Sequence, residues 1–309
     1  MKHHVAQRSR NKWKCREIFY KRGIPFPLSI CVETLEGSLE AAHKIGYPVI
    51  VKPTDGTGSL YVRCIHNDAE MKEYFSELES VKEYGRSIRR EKRFLVEEFV
   101  QGLLVSAETI TFDGKTHVVG ITERDVTGYP YFVEIGSFFP SEHPQKVLIE
   151  QTAKLVVEVL EIDFGICHIE LVVTDNGPVV IEVNPRLAGG LIPKLIELSM
   201  GIDMIQAAIN LHLGNPIDLT PRKRSYAYSY HYTPPCEGKL IEVKGWKELV
   251  QSPFVEDAQW WREEGALLPK LRSNFDRLGY VVVQDQSRGI KERISQLNQH
   301  IKIVIECNI

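Results

Sequence analysis

The sequence predicts an α+β fold, with helices and strands alternating over its first eighty residues and mostly antiparallel strands after them. Segments with a helical apolar period alternate with short β-branched runs up to about residue 80. Asp113-Gly114 and Asp175-Asn176-Gly177 each lie between two β-runs, a tight-hairpin signature. The chain carries no internal repeat and no low-complexity tract.

Taken in order, Asn11 reads as an N-cap for a helix over residues 12–22, with Cys15, Ile18 and Phe19 on one face and Gly23 as the stop. The leader before it carries Lys2, Arg8 and Arg10, read as a helix start with a short disordered segment in preference to a basic arm. Residues 28–32 read as a strand. Ser38 is expected to open the next helix, with Leu39, Ala42 and Ile45 on its stripe and Gly46 ending it. Residues 48–52, PVIVK, form a buried strand running into Asp55-Gly56-Thr57-Gly58-Ser59, and residues 60–65 resume as strand. Asn67 and Glu70 make a capping box before Met71, Tyr74, Phe75, Leu78 and Val81. A charged loop over residues 82–93 follows. Residues 94–100 read as a strand, 103–112 and 116–123 as a hairpin, 145–160 as a helix, 168–183 as a hairpin and 192–212 as a helix. Further strands are expected near 226–231, 238–243 and 279–284, with a helix near 288–298. The expected division is 1–92, 93–214 and 215–309.

With 309 residues, 43% hydrophobic and 26% charged, the chain can bury a sizeable core. A net charge of −3 gives no global basic field, so nucleic acid is not an expected partner. No apolar run reaches membrane-spanning length. Cysteines 15, 31, 64, 167, 236 and 307 are scattered without a Cys-x-x-Cys, which predicts reduced thiols in a cytoplasmic protein and neither a disulfide framework nor a zinc site.

Chemistry concentrates in HIELVVTDNGPVVIEVNPRLAGG, residues 168–190. Alternation places Glu182, Asn184 and, if the extended geometry persists past Pro185, Arg186 on one strand face, and a hairpin brings Glu170 beside them. Two carboxylates and an amide oxygen are hard ligands suited to Mg²⁺, and an arginine suits phosphate. A solvated hairpin face is the bland alternative, and the whole cluster favours a site. His168 shares that face and reads as a hydrogen-bonded core-edge histidine in preference to a zinc ligand. The 55–59 loop after Lys52 can cradle phosphate or be a plain turn. Of the adjacent Glu97 and Glu98 only one can face a pocket, and its partner is either a nucleotide amino group or a neighbouring Arg or Lys. Glu134, in YPYFVEIGSFFP, is either paired with a cation of the fold or aimed at a cationic substrate group, and the flanking aromatics favour the second.

Asn11-Lys12, PVIVKP with its glycine-rich loop, LVEEFV, H-x-E and IEVNPRLAGG, in that order, resemble the ATP-grasp superfamily. YFVEIGSFFP and NPRLAGGLIPKLIELSMGIDM are most similar to the L-amino-acid (dipeptide-forming) ligase branch, near biotin-carboxylase-like enzymes. The resemblance implies two α+β subdomains gripping ATP, followed by a C-terminal α+β extension. It implies Lys12 and Lys52 on the phosphates, with residues 54–62, including Asp55, Gly56, Thr57, Gly58 and Ser59, as a phosphate-covering loop. Glu97, beside Glu98, would meet the adenine amino group, and the Phe99 and Val100 backbone its edge. Glu170, Glu182 and Asn184 would hold Mg²⁺ (or Mn²⁺). Arg186 would steady an acyl phosphate, and Glu134 would read a substrate ammonium.

The implied reaction joins a carboxylate and an amine, both small molecules, through that acyl phosphate. Phosphoryl transfer of this kind depends on positioning and charge neutralisation. The alternatives are a noncatalytic ATP-binding subunit or truncated remnant, and a bicarbonate-using carboxylase. Three departures from the family pattern stand out. The N-terminal domain usual before Asn11 is absent, so a homodimer or a partner chain is expected to supply it. Leu104 stands where a ribose-binding Glu is usual, and Tyr61 where a Gly is common. The small Gly190 implies room for a bulky substrate, which Gly190→Trp would narrow.

Overall fold

The computed structural model describes residues 1–79, 81, 83 and 91–307. Residues 82 and 84–90 of the expected charged loop lie outside them. Helix α1 (His3–Arg10) replaces the expected disordered leader, and α2 (Lys12–Arg22) follows directly. The Asn11 side chain accepts from the Lys14 N–H, and Gly23, at φ 67°, closes the helix in the left-handed region glycine favours. Strand β1 (Ser29–Val32) leads to α3 (Leu35–Ile45), which opens one turn before the expected Ser38 because Thr34 accepts from the Gly37 N–H. Strand β2 (Val49–Pro53) is followed by a β3 confined to Arg63–Ile65, since Ser59 and Tyr61, both at φ 57°, hold the preceding residues as turns. Asn67 and Glu70 cap α4 (Asp68–Glu79) as expected, with the Glu70 N–H donating to Asn67 Oδ1 at 3.0 Å. Strand β4 (Phe94–Glu98) completes a four-stranded sheet ordered β1-β4-β2-β3, all antiparallel. Val49, Val51, Ile65, Met71, Tyr74 and Phe94 bury beneath it.

Strands β5 (Leu103–Phe112) and β6 (Lys115–Val126) turn at Asp113 and Gly114, both at positive φ. Strand β7 (Glu134–Phe139), not foreseen in the aromatic stretch, precedes α5 (Lys146–Val159), β8 (Gly165–Thr174) and β9 (Gly177–Asn184). The expected single helix over 192–212 is two, α6 (Ile192–Met200) and α7 (Met204–Leu213). Gly201 at φ 72° ends the first, and the Asp203 carboxylate accepts from the Ile205 and Gln206 N–H groups to cap the second. Strand β10 (Tyr226–Tyr232), β11 (Gly238–Lys244), α8 (Trp246–Val250), β12 (Val255–Trp260), β13 (Leu267–Leu268), β14 (Gly279–Asp285), α9 (Ile290–Asn298) and β15 (Lys302–Cys307) complete the chain.

Eight strands form the main sheet in the order β12-β14-β10-β7-β6-β5-β8-β9. This continuity crosses the expected boundary at residue 214, since β10, β12 and β14 lie in the same sheet as β5–β9. The boundary at 92 is crossed as well. Val5, Cys15, Phe19 and Ile24 bury with α5, β8 and β9, so α1 and α2 belong to the central core. Burying a side chain the size of Phe19 contributes about 2–3 kcal/mol. Helix periodicity shows which face is buried but not which sheet covers it.

A small sheet, β13-β11-β15, carries a Cys236–Cys307 disulfide, against the expectation of six reduced thiols. The two cysteines are 71 residues apart and come within 6.3 Å (Cα–Cα) through β11–β15 pairing, which no local spacing reveals. Cys15, Cys31, Cys64 and Cys167 are free. Among the described residues no helix is long and apolar enough to cross a membrane.

Candidate active site

A cavity of about 300 Å³ opens between the four-stranded sheet and the main sheet. Its apolar part is walled by Pro27, Ile50, Leu104, Val172 and Ile181, with Phe99 leaning on Phe132 at 5.9 Å between ring centres. Its polar part holds the expected groups. Lys12, Lys52, Gly56–Ser59, Glu97–Val100, Glu134, Glu170, Glu182, Asn184 and Arg186 all line it. Asp55 is the exception, because its carboxylate turns away to accept from the Glu91 N–H.

Lys12 reaches the cavity because Asn11 starts α2 beside the glycine-rich loop. Its Nζ donates to the Gly56 carbonyl at 2.7 Å and lies 3.3 Å from Glu182, tying the loop to the carboxylate hairpin. Strand alternation buries Glu97 and exposes Glu98, whose carboxylate accepts from the Leu28 N–H. Glu97 takes the second of its two foreseen partners. Lys52 Nζ lies 2.5 Å away and Arg16 Nε donates at 2.8 Å, with the Ser29 hydroxyl at 2.7 Å. Its carboxylate thus already meets three of the protein's own donors while still lining the cavity. Burial alone pushes the Glu97 carboxyl up, but Arg16 and Lys52 outweigh it and hold it at about 2. Burial pulls Lys52 below its ordinary value despite Glu97.

The β8–β9 register sets Glu170 directly opposite Glu182, and His168 opposite Asn184. His168 is buried, bonded through Nδ1 to Glu108 at 2.9 Å and through Nε2 to Glu170 at 3.1 Å. Burial pushes the imidazole down, and the two carboxylates raise it to about 9. Burial pushes Glu170 up, while the His168 bond and the Arg124 and Lys12 charges take it down to about 2. The Glu170 and Glu182 carboxylates plus the Asn184 oxygen suit Mg²⁺, which commonly takes its remaining ligands from phosphates and water. Among the described residues no three His, Cys, Asp or Glu side chains converge as a closed metal cage. Arg186 is held by the Leu187 carbonyl at 2.8 Å and Asn184 Oδ1 at 3.3 Å.

Glu134 takes the alternative the sequence disfavoured. It is 5% exposed, 2.6 Å from Arg124, and accepts from the Ser137 hydroxyl at 2.8 Å. Burial raises its carboxyl, and Arg124 more than offsets that. Gly190 sits at φ 60°, where an added Cβ would stand 2.7 Å from Glu134 Oε1. The room inferred there is therefore filled by Glu134, and Gly190→Trp would disrupt the wall instead of narrowing a pocket.

Arg16, Glu108, Arg124 and Asn274 escaped the sequence reading. Arg16 lies four residues after Lys12 on one helix face, a spacing that pairs them. Glu108 is the one charge in the strand LLVSAETITF, a signal that was there, whereas Arg124 is masked between Glu123 and Asp125. Asn274, which lines the cavity from the C-terminal part, carries no local signal.

An ATP-grasp domain model matches residues 9–190, and an L-amino acid ligase C-terminal domain 2 model matches residues 231–306. An uncharacterised Sinorhizobium fredii protein, y4rH, is 30% identical over 293 residues, 93% of this chain. The L-arginine-specific L-amino acid ligase of Bacillus subtilis is 26% identical over 275 residues, 86% of this chain. The chain spans 59% and 65% of the lengths of these two relatives. The crystal structure of an L-amino acid ligase from Bacillus licheniformis superposes with a TM-score of 0.82 at 22% identity, covering 98% of this chain and 73% of that one. Fold, cavity and matched models agree, and the chain belongs to the ATP-grasp family.

Proposed function

We propose that the protein is an ATP- and Mg²⁺-dependent carboxylate–amine ligase that joins amino acids or similar small metabolites through an acyl phosphate. One observation carries this: a single cavity runs from Lys52 and the 56–59 loop, past Glu170, Glu182, Asn184 and Arg186, to Glu134. The apolar wall around Ile50, Leu104 and Val172 suits a purine ring. The backbone of Gly56–Ser59, with Lys12, suits phosphate oxygens. Glu170, Glu182 and Asn184 would hold the metal, which when bound neutralises phosphate charge. Arg186, in the bend directly after β9 and lining the same cavity, offers a guanidinium where charge develops on the reacting carboxylate. Its two contacts to Leu187 and Asn184 orient it beforehand. Arg124 holds both oxygens of Glu134, so this ion pair forms a charged but internally balanced wall at the far end of the cavity. The L-amino acid ligase relatives support an amino-acid-sized substrate.

The test is phosphate release over pairs of amino acids with Mg·ATP. Wild-type protein should release phosphate with at least one pair, and Glu182→Gln with none. No release with any pair, together with no ATP binding, overturns the proposal.

A further inference from the structure

The turn over residues 272–277, in the C-terminal third of the chain, touches both ends of the cavity at once. Its own shape is fixed locally. Ser273 caps a short 3₁₀ turn (Asn274–Asp276), accepting from the Phe275 N–H, while Asp276 accepts from the Ser273 N–H at 2.7 Å. On one side the turn meets the glycine-rich loop. The Asn274 N–H donates to the Gly58 carbonyl at 3.3 Å. The Phe275 ring lies over Gly58 so closely that a Cβ there would stand 3.1 Å from it. Arg272 reaches Glu77, which also pairs with Arg63 beside the loop. On the other side the turn meets the Glu134 wall. The Glu134 N–H donates to Asn274 Oδ1 at 2.9 Å, and Arg277 donates to the Asn274 carbonyl at 2.8 Å and to the Glu134 carbonyl at 3.5 Å.

Neither the strand pairing nor the core demands these contacts. Phe275 is 62% exposed, so its ring contributes little by burial, yet it rests on Gly58, which has no side chain to obstruct it. Asn274 accepts from the Glu134 N–H through Oδ1 and lines the cavity, and its Nδ2 makes no protein hydrogen bond among the described residues. That amide donor is available to an oxygen-bearing ligand.

We propose that the 272–277 turn is a strap that sets the glycine-rich loop and the Glu134 wall together, so that nucleotide and amine-bearing substrate are held cooperatively, with Asn274 and Phe275 as its positioning residues. The proposal rests on the ATP-dependent reading of the cavity. A ligand that draws the loop down pulls on the Gly58–Asn274 bond, and Asn274 passes the displacement to the Glu134 N–H. Coupling of this kind is reciprocal and commonly amounts to roughly 5–150-fold in affinity.

Hydrogen exchange on the full chain, with and without Mg²⁺ and a non-hydrolysable ATP analogue, tests it. In wild-type protein the analogue should slow exchange over residues 57–61 and also at the Glu134 amide. Phe275→Ala should weaken analogue binding by roughly fivefold or more and abolish the response at Glu134, and Phe275→Leu should restore both. Asn274→Ala should speed exchange at the Glu134 amide without nucleotide. Unchanged exchange in β8 and β9 serves as the check that each variant is folded. If Phe275→Ala and Asn274→Ala both keep the analogue-induced protection at Glu134, the strap is overturned and the ligase reading stands. If wild-type protein does not bind the analogue, both fail.

Discussion

Glu97 shows how a buried charge is made tolerable. Its carboxylate is held by Lys52, Arg16 and Ser29, and its carboxyl lies at about 2 instead of the ordinary value near 4.3. A group whose folded value is depressed stabilises above its unfolded value, and that contribution is lost as the pH falls through the folded one. Glu97→Gln, which leaves Lys52 and Arg16 facing a neutral amide, should cost on the order of 3–5 kcal/mol near neutral pH. The difference from wild type should shrink as the pH drops from about 5 towards 2. Urea unfolding of both proteins across that range checks it, and a pH-independent difference contradicts it. Gly190→Ala should destabilise by about 1 kcal/mol or more through its positive φ alone. It should also displace Glu134, so phosphate release falls along with the thermal midpoint. At this scale alternation along β4 and β9 made the inward residues legible. The partners were not, because Arg16 meets Glu97 only once α2 is seated on the main sheet.

Helix ends were largely readable because capping is a contest between neighbours. Asn11 and Asn67 had no rival nearby and cap their helices. Thr34 and Ser38 competed for one helix start, and the extended backbone at Thr34 decided it. Thr34→Ala should therefore destabilise the protein by about 1 kcal/mol, read by chemical denaturation, while the Ser38 hydroxyl only bonds back to the Thr34 carbonyl. The break between α6 and α7 was present as Gly201 and Asp203, and a continuous apolar period masked it. The 55–65 stretch misled in the other direction, since two non-glycine residues at positive φ shorten a strand that composition favours.

For the whole molecule, sheet order and the disulfide were illegible because both depend on pairings between distant strands. The main sheet pairs strands drawn from residue 103 to residue 285. The disulfide closes a separation of 71 residues around the small sheet. Removing it should cost about 2–4 kcal/mol, so a reductant should lower the denaturation midpoint of wild-type protein. The same reductant should leave Cys236→Ser unchanged. Equal responses in the two proteins would remove any stabilising role for the bond.

The cavity wall starts at Lys12 and finishes at Asn274. A ribosome making this chain exposes the first of those side chains long before the last, by on the order of tens of seconds at ordinary synthesis rates. On the proposed ligase reading, a nucleotide would meet the complete wall only once synthesis has passed Asn274.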